Sequence, residues 1–444
     1  MSYFSGKTLI TRWLPGIVGG TLLVISAAAF LIGLKAEEHF TTAIARIDAN
    51  NGINLELTEY QRGFFSSRAV TRLQPAPAGQ RRAGPADEKG EREIVHRIRH
   101  GPLPLAGPNN RRLPGIRPLL AEVSSRLIDP AAPGEQTLLQ AHTVITFGGR
   151  GETTFDMTGG TGQMGPEQAH LAFEWPDLEG KLTYPLNLEQ VEGKLSGTGL
   201  TVAYRPPAGA PEELLELTGL KLQFDYRQHE DGKGGTTLEA NQQLTVTGIR
   251  TATDQHGPLS LELNWRNLDR QAAGQMFHLA PWWRQLLLGP GDPAGPEIPP
   301  PAAQSLVETL SVLLAKSPAL EIDPIRLETA HGEAAGRLHL TYLNHDDSRP
   351  FHPIMLLSGL QLEAEASSPE PLLASLARDY RKWRGDNEQA EQEGQKPLAG
   401  LHRRGYLSMD EDGRKVSFSL KYQNGELTIN DRPAPFQSLR HLLP

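Results

Sequence analysis

The sequence predicts a mainly β fold with some α: one N-terminal transmembrane helix, then an extended, twisted antiparallel β-sheet body with a few amphipathic helices. Three observations carry this expectation. Leu14 to Leu34 forms an uncharged run. Segments that alternate apolar and polar residues return along most of the remaining chain. The 45 glycines and 35 prolines suit many turns better than long helices.

Composition bounds the function. The 444 residues are enough for two or three domains. With 44 Lys+Arg against 52 Asp+Glu, the net charge of -8 offers phosphate backbones no attractive field, so nucleic acid is not an expected partner. The absence of cysteine excludes disulfides, thiolate metal sites and a cysteine nucleophile.

The 21 residues from Leu14 to Leu34 match a hydrocarbon core of about 30 Å at about 1.5 Å per helical residue. Lys7 and Arg12 precede the run, whereas Lys35 is followed by Glu37 and Glu38. The positive-inside rule therefore predicts residues 1–13 in the cytoplasm, 14–34 as a single-pass anchor in the bilayer, and the body exported. A cleavable signal peptide competes, with Ala27 to Ala29 as processing site, but its apolar core is usually shorter. Residues 35–50 read as a helical stalk through Phe40, Ala43, Ile44 and Ile47.

From there the period changes to two. A first β-rich region, 51–266, holds Ile53, Leu55 and Leu57; Leu220, Leu222, Phe224 and Tyr226; and Leu259, Leu261, Leu263 and Trp265, each set alternating with polar residues. Such alternation implies antiparallel sheet with one wet face, since a helix-covered parallel sheet reads as continuous apolar runs. SGTGLTVAY, LTGLKLQFDY and LSGLQLEAE repeat a Gly-Leu step before a strand. A helical, Pro/Gly-rich connector, 267–317, follows: one helix after Asn267 as N-cap, with Leu268, Ala272 and Met276 on one face; a non-helical run, GPGDPAGPEIPPP; and a helix through Leu306, Leu310 and Leu313. The second β-rich region, 318–444, contains a helix at 369–383 with Ser368 as N-cap and Leu372, Leu373, Leu376 and Tyr380 on one side, then a strand through Val416, Phe418, Leu420 and Tyr422.

No motif reaches catalytic specificity. GTGQMG at 160–165 fits G-x-G-x-x-G, but Pro166 and an alternating segment follow where a helix is required, so it reads as a hairpin loop. The expectation is no catalytic, cofactor or metal residues. The densest polar cluster, His345, Asp346, Asp347 and His352, has donors that suit a divalent ion, yet its Asn, Asp, Ser and Pro residues read first as a turn. His331 and His339 read as wet-face residues of a strand.

In YQRGFFSSRAV the apolar parity passes from Leu57 to Tyr60 and Phe64, which predicts a β-bulge with Gly63 as its permissive residue inside one long strand. A hydrophobic N-terminal segment, YQRGFFSS, HGPLP (His100 to Pro104) and NGELTINDRP (424–433), in that order, resemble the YdgA-like bacterial proteins of unknown function. The resemblance implies a Gram-negative inner-membrane anchor with a periplasmic body and brings no catalytic residues.

The resulting expectation is a non-enzymatic, membrane-tethered envelope protein whose partners are the bilayer, through 14–34, and a hydrophobic ligand, lipid or envelope protein bound on the sheet. One rival is a periplasmic hydrolase assembled from distant segments, with the His345–Asp347 loop and Glu174 or Asp177 near Trp175 as first candidates. Another is a scaffold that docks partners at a sheet edge.

Overall fold

Because successive side chains of a strand point to opposite faces, alternating segments can satisfy their apolar halves only by lining those halves up across neighbouring strands. The computed structural model describes residues 37–38, 40–42, 54–74, 92–100, 119–129, 136–164, 170–205, 212–230, 235–251, 254–278, 300–343, 358–375, 402–412 and 414–435. Among them the chain is mainly β with few helices, and the pairings below are all antiparallel. No helix among the described residues is long and apolar enough to cross a membrane, and Leu14 to Leu34 lies outside them. The chain divides into two compact units, 1–158 with 179–188, and 159–178 with 189–444.

In the first unit, β1 (Asn54–Arg62), β2 (Ser66–Gln74), β3 (Arg92–His100), β4 (Leu119–Asp129), β5 (Gln136–Thr146) and β6 (Arg150–Met164) pair in chain order. The parity change in YQRGFFSS is real, but its site differs from the expected one. The register of β1 on β2 shifts between Leu57 and Glu59, so the extra residue is Thr58, which donates to the Val70 carbonyl at 3.0 Å. Gly63 instead starts the turn at 63–65 that separates two strands; its N–H donates to the Ser66 carbonyl at 2.9 Å, and a Cβ there would run into that oxygen. The two phenylalanines are turn residues, so the stretch is a hairpin rather than one strand.

β7 (His170–Pro185), like β6, has residues in both units. The second unit continues as β8 (Gln190–Arg205), β9 (Glu212–Glu230), β10 (Thr236–Thr251), the short β11 (Gln255–His256), β12 (Leu259–Asp269), β13 (Ala319–Thr329), β14 (Gly332–Tyr342), β15 (Leu360–Pro369), β16 (Ser408–Met409), β17 (Lys415–Gln423), β18 (Glu426–Ile429) and β19 (Arg432–Ala434). GTGQMG is not a hairpin loop: Gly160 to Met164 belong to β6. Its Gly160 accommodates the Trp175 indole, as Gly151 does the Tyr184 ring, Gly193 the Phe224 ring and Gly359 the Tyr342 ring. An aromatic ring laid over a glycine restores the packing that the missing side chain loses.

Helix α1 (Arg270–His278) begins later than expected. β12 runs through Asn267, which has φ 56°, to Asp269, and the buried Asp269 carboxylate accepts from the Ala272 N–H at 2.9 Å. The N-cap is therefore Asp269. Helix α2 (Pro300–Ala315) takes Pro300 and Pro301 from the run expected to be non-helical, because proline is tolerated where the first-turn N–H groups have no partner anyway. Leu306 and Thr309 are buried, and the Thr309 hydroxyl bonds Gln275 of α1 at 3.1 Å. Ser368 is likewise no N-cap: β15 pairs with β17 through Ser368 and Pro369, and the helical turn starts at 370. Leu372 is buried there; Leu376 and Tyr380 lie outside the described residues.

NGELTINDRP becomes two tight hairpins. Asn424 and Gly425 have φ 55° and 82°, Asn430 and Asp431 have φ 48° and 61°, the paired positive values of type I′ turns. The Asn430 side chain accepts from the Ser419 N–H at 2.8 Å and donates to the Gly405 carbonyl at 3.1 Å. Leu420, Tyr422, Leu427 and Ile429 form a buried cluster between the turns.

Replacing Asp269 by Ala is expected to lower stability by about 1 kcal/mol, and replacing Ile429, 1 % exposed, by Ala about 2–4 kcal/mol; urea unfolding of each variant checks both.

Candidate functional site

In the second unit the register joins the apolar halves of successive strands into rungs. One runs Val191, Tyr226, Ala240, Trp265, Leu320, Leu340, Leu362, Tyr422 and Leu427, crossing β8 to β18 without a charged residue. The neighbouring rung includes Phe224, Gln242, Leu263, Ile322, Leu338, Ala364, Leu420 and Ile429. Its polar member, Gln242, donates to the Tyr226 hydroxyl at 3.0 Å. Burial pushes the Tyr226 phenol above its ordinary value.

The face is buried only toward its margins. α1 and α2 pack against β12, and α1 also against β10, near buried Ala240; the terminal hairpins bury Leu420, Tyr422, Leu427 and Ile429. Between them Leu222, Leu244, Leu261, Leu263, Ile322, Leu338, Leu340 and Leu362 are half-buried. Contiguous apolar surface of this kind is what monomeric proteins usually keep out of water unless it binds something.

The opposite face carries hydrogen bonds and ion pairs across the strands. Asn241 donates to Asn264 at 2.6 Å, Arg266 pairs with Glu321 at 2.8 Å, and Arg337 with Glu365 at 2.7 Å. His339 lies on this wet face as the alternation predicts. Its Nδ1 is 3.8 Å from Glu321 and its Nε2 3.8 Å from Asp323, and the three residues offer donor atoms within 4.8 Å of one another. Glu321 pairs with His339 and Asp323 follows two residues on, on the same face and at the edge of the β13 register shift between Ile322 and Ile325, an approach that linear spacing does not reveal. A divalent ion there would compete with Arg266 for the Glu321 carboxylate.

In the first unit the same alternation hides a polar network that the sequence reading missed. His96 is buried; its Nε2 is 2.9 Å from Thr71 Oγ1 and its Nδ1 2.8 Å from Ser125 Oγ, so both ring nitrogens are satisfied by hydroxyls. The Phe40 ring of the helical segment 37–42 stands edge-on to it at 4.9 Å. Loss of solvation lowers the His96 pKa from 6.5 to about 4, keeping the imidazole neutral. The available signal was parity, because His96 and His100 share theirs with Ile94 and Ile98. His100 is also buried, 3.1 Å from Ser67 Oγ.

His345, Asp346, Asp347 and His352 lie outside the described residues, as do Gly101 to Pro104 and Leu14 to Leu34. Glu174 and Asp177 are exposed strand residues. Hydrogen bonds from the Thr198 hydroxyl and N–H hold the Asp177 carboxyl below its usual range. That is a strand-to-strand tie, not a poised acid or base.

A family profile described as a bacterial protein of unknown function (DUF945) matches residues 11–234 and 228–437. The chain belongs to this family. No curated protein and no solved structure matches it. In this DUF945 chain the two matched stretches meet around the β9–β10 turn, so both contribute strands to the apolar face.

His96 sets a pH dependence. Above about pH 6.5 the imidazole is neutral folded and unfolded; between 6.5 and 4 the unfolded chain binds the proton first, so stability falls as pH is lowered through that window. Denaturant midpoints at pH 7 and 4.5 are expected to differ more in the wild type than in His96→Gln, and the His96 ring signals in NMR are expected to titrate near 4.

Proposed function

We propose that the apolar face of the second unit binds a hydrophobic ligand, in the first instance the acyl chains of a lipid, and that the chain does so as a non-enzymatic, membrane-tethered envelope protein. The single observation carrying this reading is the half-buried band from Leu222 to Leu362, apolar across the sheet and flanked rather than covered by α1 and α2. Fully burying a leucine is worth roughly 1.5–3 kcal/mol, so a ligand that covers several half-buried ones gains a driving force of several kcal/mol before its ordering cost. The finer assignment as YdgA-like, and with it a periplasmic body anchored by residues 14–34 in the inner membrane, belongs to the same proposal. It is supported by the order of the motifs and by the uncharged run with its basic flank.

Native mass spectrometry of the full chain purified in mild detergent, with phosphate assay of extracted lipid, tests the reading. Phospholipid is expected to co-purify with the wild type, and Leu263→Glu with Leu340→Glu is expected to reduce it about tenfold, equivalent to roughly 1.4 kcal/mol, with an unchanged far-UV spectrum. A stoichiometric metal in place of lipid would favour the hydrolase rival. Lipid retention unaffected by the double substitution would remove the apolar face from consideration.

A further inference from the structure

Most large apolar side chains that stand well exposed among the described residues occupy one end of the first unit. Phe64 and Phe65 are 48 % and 53 % exposed, Phe147 is 51 %, and Leu186 and Leu188 are 49 % and 46 %. Each belongs to a turn: 63–65 between β1 and β2, 147–149 between β5 and β6, and 186–188 after β7. The antiparallel meander brings these turns to the same edge. The His100 N–H donates to the Phe65 carbonyl at 3.0 Å, His100 pairs with Ala121, Ala121 with Ile145, and the Leu186 N–H donates to the Gly149 carbonyl at 2.8 Å. At about 4.8 Å per strand, the tips form a front roughly 25 Å long.

A turn normally carries small or polar residues. Here the tip of the first hairpin is two half-exposed phenylalanines, edge-to-face at 4.9 Å. Arg62 and Arg68 flank it, Arg99 lies in the last turn-side positions of β3 beside it, and Arg150 follows the Phe147 turn. Of the acidic residues near those ends, Glu37 pairs with Arg62 at 3.4 Å, Glu122 lies beside His142 and Arg99, and Glu152 pairs with Lys181 at 2.8 Å, while Glu189 next to Leu188 is exposed. Apolar tips with arginines behind them match a membrane interface, where rings and leucines enter the headgroup boundary and cations meet anionic lipid.

The chain's own path points to the same occupant. Glu37 reaches Arg62, the last residue of β1 before the turn, whereas Phe40 lies one rung further from the turn, beside Tyr60 and His96. The N-terminal side of the helical segment therefore faces the apolar tips, and only Lys35 and Ala36 separate Glu37 from the uncharged run ending at Leu34. We infer that the turns 63–65, 147–149 and 186–188 form a docking edge that rests on the surface of the bilayer holding residues 14–34. The inference rests on the anchor reading above and concerns a surface distinct from the apolar sheet face.

The cysteine-free chain allows a direct test. Phe65→Cys, Phe147→Cys and Leu188→Cys, each in the full chain, are labelled with a nitroxide and reconstituted into vesicles of phosphatidylethanolamine and phosphatidylglycerol. The mid-strand, exposed Gln140→Cys serves as reference. The three tip labels are expected to be more accessible to oxygen than to a water-soluble nickel chelate, and the reference label the reverse. Protein that floats with the vesicles but keeps all three tips as chelate-accessible as Gln140→Cys overturns the docking edge and leaves the anchor standing. Protein that does not float overturns both.

Discussion

The structure depends on one constraint: an antiparallel strand that is apolar at every second residue has to keep register with its neighbours, or its dry half turns to water. In the second unit this constraint is met over nine strands along a single rung from Val191 to Leu427. Irregularities are confined to places where the pairing can absorb them. The bulges at Thr58 in β1 and at Asp323–Pro324 in β13 each shift parity, and in each the apolar side chains beyond the bulge return to the dry face. Glycines inside strands serve the same end, giving their space to a ring from the adjacent strand.

What differs between the units is what lies within the dry face. The second unit keeps it hydrocarbon, with Gln242 tied to Tyr226. The first admits Thr71, His96 and Ser125, a linear hydroxyl–imidazole–hydroxyl chain in which both ring nitrogens are partnered. A buried network with every member partnered specifies one register among several apolar ones, because slipping a strand by two residues would keep the faces dry but strand the imidazole. The helical segment that carries Phe40 adds to that selection by covering His96.

Most of this fold was legible in the sequence because period-two alternation is a local property that needs no partner to be read. Leu220 to Tyr226, Leu259 to Trp265 and Val416 to Tyr422 all fall on strands with the expected dry side. Boundaries were less legible. Strand pairing with β10 and β13 carried β12 to Asp269 and Arg266 respectively, and pairing with β17 carried β15 through Ser368, so the helix caps moved or vanished. The glycine content reads as turn signal in the sequence, whereas Gly151, Gly160, Gly193 and Gly359 meet aromatic partners that linear order does not specify. The Asp323–His339 approach and the convergence of three apolar turns were hidden for the same reason, since both are products of register. The half-buried state of the central leucines was foreshadowed by how few helices the chain could supply.

The C-terminal staircase has a consequence for self-association. β17, β18 and β19 shorten from 9 to 4 to 3 residues, and Pro433 in the last offers no N–H. An incoming strand from another copy would find too short and too poor a ladder to template on. The half-buried hydrocarbon of the sheet face thus lies beside a margin that gives strand addition little backbone to pair with.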